Sequence, residues 1–352
     1  MLSTIWFALI GVLVVGYIVM DGFDLGTGIL YPFIARSEVE KRGVLRSIGP
    51  VWDGNEVWLL TAGGALFAAF PVVYATVFSG FYLALMLVLF CLILRAGALE
   101  FRTIDPAWKK FWDGAFFLAS ALSSFLVGVA AGNLIRGVPL AANGEYAGNF
   151  FTLLNPFALL VGVVSFIWIT LHGASWLSLK TTDAVRCRAM SVRKHATLAL
   201  VIALVVTTVL APMFASHAFA TGSASPIALS GAAIAVVGAI LSMVYGAQSI
   251  KSNQLDTKSD FIALIGSALV GAGAIVIWAG SVFPNMLPAL NIGAYDAARS
   301  LTIQASASSN LTLLVMLIIA GIGVPLVLFY TALIYKTYAG RVEQVEETDG
   351  HY

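Results

Sequence analysis

Pro50-Val51-Trp52-Asp53-Gly54-Asn55-Glu56-Val57-Trp58 opens an apolar run that continues to Phe70. A run of that length enters a bilayer, so it carries two carboxylates and an amide into a membrane helix. On insertion scales an ionised group near the bilayer centre costs roughly 2.5–3.5 kcal/mol, so such residues face protein or water and serve a function. Asp21 and Asp24, in Asp21-Gly22-Phe23-Asp24-Leu25-Gly26, close the preceding apolar run. A basic loop joins the two runs. Their helices are therefore antiparallel, and the two acidic pairs fall at similar depth.

The rest of the chain has the same character. Of its 352 residues 60% are hydrophobic and 11% charged, and the mean hydropathy is +0.93. No stretch outside the apolar runs is long enough for a soluble domain. The sequence reads as an all-α polytopic membrane protein, one integral membrane domain over 1–352 with a short acidic cytoplasmic tail at 337–352. The first run has no positive leader and exceeds a signal-peptide core, so it reads as a retained helix. Cys91 and Cys187 give no disulfide framework.

Runs of spanning length fall at about 4–31, 50–70, 72–95, 112–135, 156–178, 195–216, 226–248, 260–283 and 310–336, which predicts nine transmembrane helices. Phe70-Pro71-Val72 predicts a tight hairpin between the second and third, and prolines at 156, 226 and 284 mark other helix ends. Seventeen of the 19 lysines and arginines lie in the 31–49, 95–111, 179–194 and 249–259 loops or the tail, against Arg136 and Arg299 on the other side. The positive-inside rule then puts the N-terminus outside and the C-terminus in the cytoplasm.

Helical rise places Asp21 about 6 Å inside the cytoplasmic edge, Asp53 about 5 Å deep and Glu56 about 9 Å deep. Asp21/Asp24 and Asp53/Glu56 are each spaced i,i+3, so each pair lines one helix face. Four carboxylates on adjacent helices in one leaflet suit a proton relay. The alternative is that they cap helices or pair with Arg36, Arg46 or Arg95 at the surface. Trp58 lies more than a turn deeper than Trp52, away from the interfacial belt. His172, His195, His217 and His351 lack a second ligand at i+3 or i+4 and read as interfacial or solvated. No phosphate-binding or dinucleotide fingerprint is present, and nothing points to nucleic acid. Trp52-Asp53-Gly54 and Trp112-Asp113-Gly114 echo each other at two helix starts.

The sequence resembles subunit II of the cytochrome bd-type quinol oxidases, including the cyanide-insensitive branch. The resemblance rests on Asp21-Gly-Phe-Asp-Leu-Gly26, the block from Pro50 to Pro71, Phe78-Ser-Gly-Phe-Tyr82, the stretch from Gly148 to Phe157, Phe283-Pro284 and Leu328-Phe-Tyr-Thr-Ala332. It implies a bacterial inner-membrane heterodimer with a haem-bearing subunit I that holds haems b and d. Such a complex oxidises quinol outside and reduces oxygen to water with cytoplasmic protons. Small accessory membrane subunits, and a structural quinone in this chain, are further implications. No residue of this chain is expected to be directly catalytic or to bind metal. By the resemblance, Asp53 matches an aspartate of a proton path, Asp21 and Asp24 match acids beside it, and Trp58 matches a tryptophan flanking an oxygen route. Glu56, the fourth member of that path, stands where some members carry Gln, and segment 217–225 is shorter than in some members. A proton-coupled secondary transporter using the Asp21/Asp53 cluster is the competing reading. It would favour broken helices at the midplane and an inverted repeat, neither of which the sequence displays.

Overall fold

The computed structural model describes residues 1–252 and 255–342, so the acidic end of the tail and His351 lie outside the described residues. Its helices are α1 Leu2–Ile34, α2 Glu38–Ile48, α3 Trp52–Ala69, α4 Pro71–Gly80, α5 Tyr82–Phe101, α6 Lys109–Arg136, α7 Pro156–Lys180, α8 Asp183–Phe214, α9 Ser216–Ala224, α10 Pro226–Lys251, α11 Thr257–Val282 and α12 Asn310–Thr337. Eight of them (α1, α5, α6, α7, α8, α10, α11 and α12) are long and apolar enough to cross a membrane. α3 is shorter and is diluted by Asp53, Asn55 and Glu56.

α1 is apolar on most of its surface apart from Asp21 and Asp24 and sits centrally, packed against α3, α6, α7 and α11. In lipid, helices associate by close contact rather than by a hydrophobic drive, which favours small residues where backbones cross. Gly26 on α1 meets Gly173 on α7 so closely that a Cβ on Gly26 would lie 2.7 Å from the Gly173 Cα. The α10–α11 pair repeats the device, with a Cβ on Gly238 falling 2.6 Å from the Gly266 carbonyl oxygen. Side-chain caps set several helix starts: Asn155 accepts from the Ala158 amide and Ser225 from the Ala228 amide, each just before a first-turn proline.

The hairpin at Phe70 is as tight as expected, since α3 ends at Ala69 and α4 starts at Pro71. The expected span 72–95 is different. It is two helices, α4 and α5, joined at Phe81, whose amide still bonds Val77 while its carbonyl accepts from Leu85. α5 runs on to Phe101, which draws Arg95 more than a turn inside the helix end. The basic stretch 179–194 is likewise no loop: α8 begins at Asp183 and extends past the apolar run. Segment 217–225 is largely helical, forming α9.

The fold is all-α as expected, with one small sheet added at an end of the bundle. β1 Val138–Pro139 pairs in parallel with β2 Asn285–Asn291, which pairs antiparallel with β3 Ala294–Thr302. Ile292 and Gly293 both take positive φ, 49° and 81°, as a two-residue hairpin turn matched to strand twist requires. The sheet caps the end of the bundle where α6 finishes and α12 begins. Arg136 and Arg299 lie there, donating to the Phe214 and Leu140 carbonyls. The opposite end gathers the other cations, with Lys41 on Asp113, Arg188 on Glu40 and Arg341 on the Ser178 and Thr181 carbonyls.

Candidate proton-handling site

Asp21 and Asp24 lie one turn apart on α1, and both are wholly shielded from solvent. Arg95 reaches Asp21 from α5. Its Nη1 donates to Asp21 Oδ1 at 2.6 Å, and its Nη2 donates to Glu56 Oε1 on α3. Asn55 Nδ2 donates to Asp24 Oδ2 at 2.8 Å and to the Met20 carbonyl at 3.2 Å. Tyr335 on α12 closes the arrangement by donating to Asn55 Oδ1 at 2.9 Å. Four helices thus converge on one polar island inside the bundle.

The island holds three carboxyls and one guanidinium. With all three ionised it would carry two uncompensated negative charges in a medium where each is expensive. Two bound protons make it neutral. Several of its polar atoms also lack protein partners: Asp24 Oδ1, Arg95 Nε and the Thr27 hydroxyl are buried without a hydrogen bond among the described residues. Such atoms are where internal water resides.

Of the four carboxylates expected to cluster, the structure brings together Asp21, Asp24 and Glu56 but leaves Asp53 out. Asp53 is exposed on the flank of α3, while Glu56, three residues on, turns inward to Arg95. The edge between the packed and unpacked faces of α3 passes between them. Gly54, Val57, Leu60, Thr61 and Gly64 continue the exposed stripe. Trp58 is half-buried and its ring fills the space that a Cβ at Gly16 would need.

The echo of Trp-Asp-Gly at 112–114 is not a copy in structure. Asp113 accepts from Arg102 Nε at 2.5 Å, Lys41 Nζ at 2.7 Å and the Tyr31 hydroxyl at 2.7 Å. Arg102 also bonds Glu38. Burial pushes the Glu38 carboxyl up, but Arg102, Lys41 and Lys109 outweigh it and hold it below the usual range. Burial likewise opposes ionisation of Glu40, and hydrogen bonds from Arg188 and the Arg36 and Ser37 amides more than reverse it. These are surface-end clasps that fix α2 beneath the bundle.

Two sites escaped the sequence reading. Asp260, in the first turn of α11, is fully buried and accepts from Arg186, Arg193, Arg341 and Ser249. His172, expected near an interface, is buried. Its Nδ1 lies 2.7 Å from Ser267 Oγ, its Nε2 lies 2.9 Å from the Val19 carbonyl, and its ring stacks on Trp168. Both ring nitrogens are engaged, so the residue does not suit haem ligation. Among the described residues no group of three or more His, Cys, Asp or Glu could hold a metal ion.

Comparisons with known proteins agree with one another. The family model for cytochrome bd terminal oxidase subunit II matches residues 2–338. The chain is 41% identical to a probable cytochrome oxidase subunit 2 of Haemophilus influenzae, over 97% of this chain and 95% of that protein. It is 36% identical to the cytochrome bd-I ubiquinol oxidase subunit 2 of Escherichia coli K12 at the same coverage. It is 31% identical to the cytochrome bd ubiquinol oxidase subunit 2 of Bacillus subtilis, over 98% of each. Among solved structures, a chain of the bd oxidase from Geobacillus thermodenitrificans superposes with a TM-score of 0.74 at 16% identity, covering 96% of this chain and 98% of that one. That last likeness is one of fold.

Proposed function

The chain belongs to the cytochrome bd terminal oxidase subunit II family, and on that premise we propose that it conducts protons from the basic end of its bundle toward its partner. It is one subunit of a membrane-bound quinol-oxidising oxidoreductase, and the other is subunit I. In this reading subunit I holds haems b and d, which supply the electron transfer and oxygen reduction, while quinol and oxygen are substrates of the complex. No haem is assigned to this chain, whose His172 is committed to other bonds. A structural quinone here, and small accessory subunits, rest on the family resemblance. Family membership disfavours the transporter alternative.

The observation that carries the proton reading is the island of three carboxyls, two of them, Asp21 and Glu56, bonded to Arg95 and the third, Asp24, bonded to Asn55. A carboxyl both accepts and releases a proton, and Asp24 keeps one buried oxygen without a hydrogen bond among the described residues. Asp24 and Asp21 take protons arriving from the basic end and Asp53 delivers them across the subunit boundary, with Glu56 a supporting acceptor beside Arg95 rather than an obligatory carrier. A carboxylate left against lipid on α3 would be costly, and the small residues Gly54, Thr61 and Gly64 beside it suit a close helix contact. Subunit I therefore covers this stripe. Trp58, set in the Gly16 notch, flanks the oxygen route in the same reading.

The topology follows. α3, about 27 Å long by helical rise, makes the ninth crossing beside the eight apolar helices. The chain 1–352 is one membrane domain. The cation-rich end is cytoplasmic, the sheet-capped end is outside, and the N-terminus is therefore outside.

The test is Asp53→Asn in an assembled, haem-replete complex. The amide keeps hydrogen bonding but cannot titrate. Oxygen reduction should fall at least about tenfold, most severely at high pH where protons are scarce. Asp53→Glu should retain more activity. Full assembly with the unaltered rate at every pH would end the relay reading.

A further inference from the structure

At the basic end, two cavities meet beneath the segment that follows α12. One, about 650 Å³, is lined chiefly by Phe23, Leu255, Phe261, Leu264, Ile265 and Ala268. Phe261 and Ile265 are 52% and 41% exposed on the outer face of α11, so this compartment opens sideways, toward lipid. The other, about 240 Å³, is lined by Arg46, Ser47, Lys180, Tyr335 and Arg341 among others. The two share Trp176, Lys180, Tyr335 and Arg341, and among the described residues neither has an Asp or Glu in its lining.

Among the described residues the polar compartment has unspent positive charge. Arg46 forms no ion pair among the described residues. Lys180 Nζ donates to the Tyr338 and Gly340 carbonyls at 2.6 and 3.0 Å and lies 5.4 Å above the Trp176 ring, with its third hydrogen unassigned. Arg341 shares Asp260 with two other arginines. Trp176 is only 5% exposed, yet its indole N–H has no acceptor. An indole can only donate, so the missing partner is an oxygen.

We propose that this double cavity binds one phospholipid with a net-negative headgroup, its phosphate against Arg46 and Lys180 and an acyl chain along Phe261 and Ile265. An apolar trough open to the bilayer suits the chain, and Arg46 and Lys180, which have no carboxylate partner among the described residues, suit the head. A neutral quinone or a zwitterionic lipid would leave the surplus charge uncompensated.

The assembled oxidase, incubated with dioleoyl phosphatidylglycerol or dioleoyl phosphatidylcholine and examined by native mass spectrometry, decides it. One phosphatidylglycerol should be retained at least tenfold more strongly than phosphatidylcholine. Arg46→Gln combined with Lys180→Gln should weaken retention about tenfold, Arg46→Lys should preserve it, and Ile265→Trp should weaken it by filling the trough with the cations intact. Haem content reports assembly of each variant, and Asp53→Asn should hold the lipid as the parent does, so a failed proton reading stays separate from a failed lipid site. Equal retention of phosphatidylcholine, displacement by inorganic phosphate alone, a quinone found in the cavity, or indifference to both Arg46/Lys180 and Ile265 changes would overturn the proposal.

Discussion

Arg95 on α5 and Asp21 on α1 meet at 2.6 Å with both side chains sealed from solvent. The pair draws the hairpin helix to the central helix and supplies the only guanidinium on the acidic island. Removing one member of a buried pair costs roughly 3–5 kcal/mol because the other is left uncompensated. Arg95→Met should therefore yield little assembled complex, read as haem per subunit and as a lowered Tm. Arg95→Lys should assemble partially, since a single ammonium cannot span Asp21 and Glu56 in the same fork.

Glu56→Gln should be the mildest change on the island. The amide oxygen can still accept from Arg95. Assembly should be unchanged and turnover should fall less than about threefold, measured by oxygen uptake. A loss as large as that of Asp53→Asn would make Glu56 an obligatory carrier.

Tyr335→Phe tests the link between α12 and the island. It removes the donor to Asn55 Oδ1 and should cost about 1 kcal/mol. The expected result is a small fall in Tm with faster amide exchange at the C-terminal end of α12, and little change in haem content.

Gly26→Ala should be severe for so small a change. Its methyl would press on Gly173 and the Ile169 carbonyl where α1 crosses α7. Overpacking of this kind costs about 1–3 kcal/mol. Gly54→Ala, with nothing near its Cβ in this chain, should leave the subunit itself intact and weaken only its hold on subunit I. Co-purification yields distinguish the two.

Acid should release α2. The Glu38 and Glu40 carboxyls are held below their usual range, so the stabilisation they give is complete above their unfolded pKa, near 4.3. It disappears as pH falls through the lower folded values. Hydrogen exchange over residues 38–48, corrected for intrinsic rate, should accelerate below about pH 4, and Arg188→Gln should shift that onset upward.

Much of this was legible because lipid imposes strict rules. Apolar length, the Phe70-Pro71 hairpin and the cation asymmetry each follow from the cost of polar groups in hydrocarbon. Arg95 was harder. Counted from the apolar run it sits at the edge, and only the continuation of α5 to Phe101 draws it inward. Asp53 and Glu56 share a helix face by spacing alone, but the packing boundary on α3 falls between them, which periodicity cannot reveal. Asp260 resembles an ordinary acid in a first helical turn, and its three arginines come from segments as far as 81 residues away. The strands at 285–302 lack a clean alternation and lie between two strong apolar runs.

The arginine cluster on Asp260 also bears on biogenesis. Arg186 and Arg193 are synthesised before Asp260, whereas Arg341 follows it by 81 residues. During synthesis α8 can clasp α11 as soon as both have left the ribosome, but the clasp stays incomplete until α12 has been inserted and the segment behind it folds back onto α7. A chain stalled before Arg341 lacks one of the three cations on Asp260 and the tie from the end of α12 to the end of α7.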